Sequence, residues 1–97
     1  MTKEMRELSE QLSERLIKHN GVKQQLLQSV EETTELNKEI LKYIRYQDGK
    51  YIPGIIEELG DVFNALETLI RIFGIDVEEL DKKRFNKVFE YCEKNQI

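Results

Sequence analysis

Apolar residues recur with a period near 3.6 along almost the whole chain and nowhere alternate strictly over strand length, which restricts the fold to packed helices. The fold class expected is all-α. One proline and five glycines leave little to interrupt such helices, and the places where they occur mark the joints. A first helix is predicted over roughly residues 3 to 18, with Met5, Leu8, Leu12 and Leu16 on one stripe and Asn20-Gly21 as the stop. A second runs from about Val22 to Tyr46, after which Gln47-Asp48-Gly49-Lys50 is turn chemistry. Pro53-Gly54 opens the third, which reaches Phe73 and ends at Gly74. Asp76 is the expected N-cap of the fourth, with Glu79 as its capping-box partner and an end near Glu93.

At 97 residues this is one small domain, residues 1–97, with a core of about 21–94 behind an N-terminal helix. A net charge of −4 gives no general attraction for nucleic acid or an anionic membrane, so neither is an expected partner. The charged start MTKEMRELSE does not resemble a secretory signal, and no segment is apolar for long enough to span a bilayer. Cys92 is the single cysteine, so a reducing, cytoplasmic setting is expected. With His19 the only histidine, imidazole-rich zinc or iron sites cannot be built within one chain. His19 is expected to be an exposed residue near a helix end and Cys92 a small core residue.

On a helical wheel the apolar residues of the third helix, from Ile55 to Phe73, fill an arc about 200° wide. Glu58 falls inside that arc and Asp61 at its edge, while Glu57, Asn64, Glu67 and Arg71 occupy the opposite side. An ionised carboxylate in an apolar face is costly unless it is paired, hydrogen-bonded or metal-bound. The second helix repeats the pattern more mildly, with Glu32 bordering its apolar arc and Glu31 and Glu35 further round. If these helices pack antiparallel through the short turn, Glu35 and Glu58 fall at similar heights, and Glu32, Glu35, Glu58 and Asp61 converge. Divalent cations with oxygen ligands relieve such repulsion, and an all-oxygen set favours Mg²⁺, with Mn²⁺ as a substitute. The competing explanation is a buried salt bridge from Glu58 to Arg84 on the fourth helix. Two acidic pairs rather than one favour the metal.

Glu31-Glu32-Thr33-Thr34-Glu35-Leu36 and Glu58-Leu59-Gly60-Asp61-Val62 resemble the EExxE and ExxD signature of the MazG-like all-α nucleoside triphosphate pyrophosphohydrolases. The likeness runs from about Gly21 to the basic segment near residue 87: a Gln-rich approach, an acidic helix, a turn, the EELGDV helix and a Gly-Ile-Asp joint. It implies a four-helix MazG-like bundle that hydrolyses a (deoxy)nucleoside triphosphate to the monophosphate and pyrophosphate, in the setting of nucleotide-pool cleansing. Magnesium would be held by Glu32, Glu35, Glu58 and Asp61, with Glu31 or Glu35 activating water. Lys83, Arg84, Lys87 and Asn86 would contact the triphosphate, and Gln25 and Gln28, with Tyr43, Tyr46 or Tyr51, the base and sugar. The lysine often found before the family's EExxE is replaced here by Gln-Ser-Val, which bears on nucleotide choice.

Apolar arcs this wide exceed what a monomer of four short helices can cover, so a dimer or tetramer is expected, in line with the family. A di-iron carboxylate protein would need Glu-x-x-His, and the residue three before His19 is Leu16. The remaining rival is a non-enzymatic helical adaptor or regulator with a degenerate site.

Overall fold

A computed structural model describes residues 1–97 as four α-helices without a strand: α1 Lys3–Asn20, α2 Val22–Tyr46, α3 Ile52–Phe73 and α4 Val77–Asn95. The helices begin and end where local chemistry dictates. Thr2 caps α1 by accepting the N–H of Met5 at 3.1 Å, and Gly21, at φ +86°, closes it through a bond from its own N–H to Ile17. Gln47 takes the left-handed conformation that ends α2. Asp48 then accepts from Lys50 N–H at 2.9 Å and sets up a short 3-10 turn, Gly49–Tyr51, leading into α3 with Pro53 in its first turn. Gly74, at φ +57°, ends α3, and Asp76 caps α4 by accepting from Glu78 N–H at 3.0 Å. The reciprocal capping-box bond from Glu79 does not form. The helix ends lie within two residues of those expected, α1 and α4 each running slightly further.

The principal packing is between α2 and α3, which lie antiparallel across the short turn. Their register follows from three contacts. Glu39 crosses Gly54, so closely that a Cβ there would meet its carboxylate at 2.6 Å; Glu32 meets Glu58 and Asp61; and Gln25 and Thr68 line one cleft. The helix α1 rests on α3 and α2, fastened by Arg71, whose guanidinium donates to Glu14 at 2.7 Å and lies 3.7 Å from Glu10. The helix α4 leaves the joint without packing extensively on any other helix and buries no residue. Four helices are present, therefore, but within one chain only three of them pack.

The contact surface between α2 and α3 is unusual in composition. Only Ser13, Gln25, Ser29, Ala65 and Thr68 are buried, and no large apolar side chain is. The three buried hydroxyls satisfy themselves by bonding back to their own helix: Ser13 to Ser9, Ser29 to Gln25 and Thr68 to Asn64, each at 3.0 Å. Leu26, Leu36, Ile55, Val62, Leu69 and Ile72 are half-buried, and most of the other long apolar side chains are exposed. Accessible surface is 8201 Å², against about 5,800 Å² for a compact monomer of this mass. The radius of gyration, 16.3 Å, likewise exceeds the roughly 12.5 Å of a compact domain this long. No helix is long and apolar enough to cross a membrane.

Candidate metal centre between α2 and α3

The seam between α2 and α3 brings together three of the four carboxylates that antiparallel packing was expected to converge. Glu32 from α2 and Glu58 and Asp61 from α3 each place an oxygen within 4.8 Å of the others, and all three are half-buried. Glu58 and Asp61 stand one helical turn apart on the same face, while the antiparallel register carries Glu32 to their level. Burial pushes the Glu58 carboxyl above its ordinary value of 4.5, and the negative charges of Asp61, Glu32, Glu35 and Glu57 push it the same way.

No lysine or arginine bridges to any of the three. Arg84, the counter-ion that spacing offered Glu58, is exposed on α4 and paired with Asp81 at 3.4 Å. The salt-bridge explanation for Glu58 is thereby removed. No basic side chain of this chain pairs with the trio, and its donors are all oxygen, the ligand type that small hard dications take.

Around the trio the remaining residues divide into near and far. Gln28 donates its amide to Glu32, holding that carboxylate one turn along α2. Gln25 is buried and accepts from the Asn20 amide at 2.8 Å, so it braces the start of α2. Both line a cleft of about 130 Å³ that opens over the seam, together with Asp61, Asn64 and Thr68. Glu35 stands outside the trio and is salt-bridged to Lys38 at 3.2 Å, although its charge still presses on Glu58. Glu31 is exposed on the flank of α2.

The residues assigned to the triphosphate lie elsewhere. Lys83, Arg84, Asn86 and Lys87 are exposed on α4, which does not fold back over the seam. The tyrosines lie toward the opposite end of the hairpin, Tyr43 being eleven residues, about 16 Å of helix, from Glu32. There Tyr46 and Tyr51 stack with ring centroids 5.6 Å apart, each with a cation over its face, Arg45 and Lys50 respectively.

One residue of the cleft and one further along the α2–α3 seam escape a reading of the wheel. Asn64 falls on the polar side of α3 yet lines the cleft beside Asp61, because α1 closes over that flank through Leu16. Glu39 continues the inward row of Glu32 and Leu36, pairs with Lys42 at 2.9 Å and raises the Lys42 pKa, mainly through that hydrogen bond. The signal for Glu39 was available in its spacing of seven from Glu32 and in the glycine, Gly54, that makes room for it.

Comparison with protein-family models, with curated proteins and with solved structures yields no match for this chain.

Proposed function

We propose that this chain is a Mg²⁺-dependent nucleoside triphosphate pyrophosphohydrolase of MazG-like type, converting a (deoxy)nucleoside triphosphate and water to the monophosphate and pyrophosphate. The observation that carries the reading is the convergence of Glu32, Glu58 and Asp61 within 4.8 Å with no cation from the chain to neutralise them. The EExxE and ELGD motifs supply the reaction class. These three carboxylates would hold the metal, with Mn²⁺ as a substitute, and Glu35 would join them on turning away from Lys38.

A dication bound there supplies neutralisation of phosphate oxygens and polarisation of the phosphorus. The protein's own part is to position and to move a proton. Gln28 fixes the Glu32 carboxylate, and Glu31 or Glu35, on the open side of the trio, takes the proton from water as its oxygen bonds to the α-phosphorus. The bond from that phosphorus to the bridging oxygen breaks, and pyrophosphate leaves with the electron pair. Gln25 and Gln28 border the space for base or sugar. Because α4 stands away from the seam, Lys83, Arg84, Asn86 and Lys87 serve the triphosphate of a neighbouring copy, which makes self-association to a dimer or tetramer part of the proposal.

One observation favours a second reading, the non-enzymatic adaptor: the basic residues of α4 are free of the acidic cluster and its apolar face is open. Incubation with standard and modified nucleoside triphosphates plus Mg²⁺ separates the two. The enzyme releases monophosphate and pyrophosphate in equal amounts; an adaptor gives no turnover across the panel and no metal-dependent thermal shift.

A further inference from the structure

The third helix carries a row that its packing within the chain leaves unused. Ile56, Leu59, Phe63, Leu66, Ile70 and Phe73 are spaced alternately by three and four residues, the repeat that keeps one helix in continuous register with another. Five of the six are exposed, Phe63 at the middle by 65%, and Ile70 is half-buried. The row is separate from the face that bears Glu58, Asp61 and Ala65. A mid-helix apolar row of this regularity needs a facing helix, and within the chain it has none.

We infer that this row is the contact by which two copies of the chain associate, α3 against α3 and antiparallel, about a two-fold axis between Asn64 and Ala65. This rests on the self-association in the function proposed above and gives that association its surface. Area supports a second copy as the occupant. The chain exposes about 2,400 Å² more than a compact monomer of its mass, and a stable interface takes roughly 800 Å² from each partner.

Charge sets the direction. Three of the four carboxylates of α3, Glu57, Glu58 and Asp61, lie in its N-terminal half and its one arginine, Arg71, in the last turn. A parallel pair would set the two acidic halves side by side. The antiparallel pair separates them and opposes the helix dipoles favourably. The steps of three, four, three, four and three residues read the same in either direction, so about that axis Phe63 meets the Leu66 position, Leu59 meets Ile70, and Ile56 meets Phe73.

Competing faces are less suited. On α2 the outward row Leu27, Val30, Leu41 and Ile44 is broken at its centre by Thr34 and Asn37. The apolar face of α4 has Asp81 and Arg84 within it.

The test compares the full chain with Phe63→Glu and with Phe85→Glu, on α4, by light scattering after size exclusion at micromolar concentration. The wild type is expected to be a dimer, or a tetramer built from it. Phe63→Glu raises its dissociation constant about a hundredfold or more, and Phe85→Glu leaves this contact intact. Should Phe63→Glu fail to fold, a second measurement decides: Phe63→Cys and Leu66→Cys, each also carrying Cys92→Ser, are mixed and oxidised. The antiparallel pair gives a disulfide between the two different variants, whereas a parallel pair links each variant to itself. A monomeric wild type overturns self-association and the surface together. An oligomer that survives Phe63→Glu, dissociates on Phe85→Glu, or yields no mixed disulfide overturns the surface alone and leaves the association standing. Manganese-dependent melting reads the acidic trio separately from all of these.

Discussion

Replacing Glu58 by Gln should move the thermal stability of this protein in opposite directions depending on whether a dication is present. Without metal, Glu58 is a half-buried acid held above its ordinary pKa by burial and by four neighbouring carboxylates, so the neutral amide relieves repulsion and the melting temperature holds or rises. With metal, the same change removes one of three oxygen ligands that stand within 4.8 Å of one another. A dication at ten times its dissociation constant stabilises the folded state by about 1.4 kcal/mol, which for a domain this size is about 6–11 °C. A tenfold weaker site at the same concentration keeps only about 0.4 kcal/mol, or about 2–3 °C. The assay is melting followed by circular dichroism at fixed protein concentration, with MgCl₂ or MnCl₂ matched against KCl for ionic strength. A Glu58→Gln variant that gains as much from Mn²⁺ as the wild type would refute the assignment of the trio as the ligand set.

Further outcomes follow from the same geometry. In the metal-free protein the neutral form of Glu58 contributes stability that is fully present below about pH 4.5 and lost as pH rises through its raised value; a titration of melting temperature should therefore show Glu58→Gln gaining on the wild type as pH rises. Stabilisation by Mn²⁺ should grow over the same interval, as the ligand oxygens lose their protons. Glu57→Gln, on the exposed flank of α3, should leave the metal response nearly unchanged in the same melts. Arg71→Met, which cuts α1 loose from Glu10 and Glu14, should cost about 1 kcal/mol in urea unfolding. Gly60→Ala should add about 0.5–1 kcal/mol in that assay, since a methyl there meets nothing within 4 Å; Gly54→Ala should gain little, because its Cβ displaces Glu39 from beside Lys42.

The helices and their joints were legible because each boundary rests on one local residue. Gly21, Gly74 and Asp76 act through their own φ or side chain, and no distant contact is needed to read them. The height of Glu58 against α2 was legible too, since a short turn between antiparallel helices fixes register. Which face turns inward was legible only in part. Of the arc that the wheel sends to the core, Ala65 is buried and Ile55, Val62, Leu69, Ile70 and Ile72 are half-buried, whereas Leu59, Leu66 and Phe73, with Ile56 and Phe63 beside them, stay outside. Apolar periodicity records that a face is covered, whether by the same chain or by another copy. The position of α4 was hidden for a similar reason: the Gly74 joint sets where α3 stops but leaves the direction of the next helix to packing. Lys83, Arg84 and Lys87 therefore lie off the seam that spacing assigned them to.

The proposal as a whole turns on where a metal sits. Anomalous diffraction from crystals grown with Mn²⁺ tests this most directly. The expected result is an ion in the α2–α3 seam with carboxylate oxygens of Glu32, Glu58 and Asp61 about 2.1 Å away. Density showing that seam without an ion, while Mn²⁺ binds at other carboxylates of the same crystal, would contradict it.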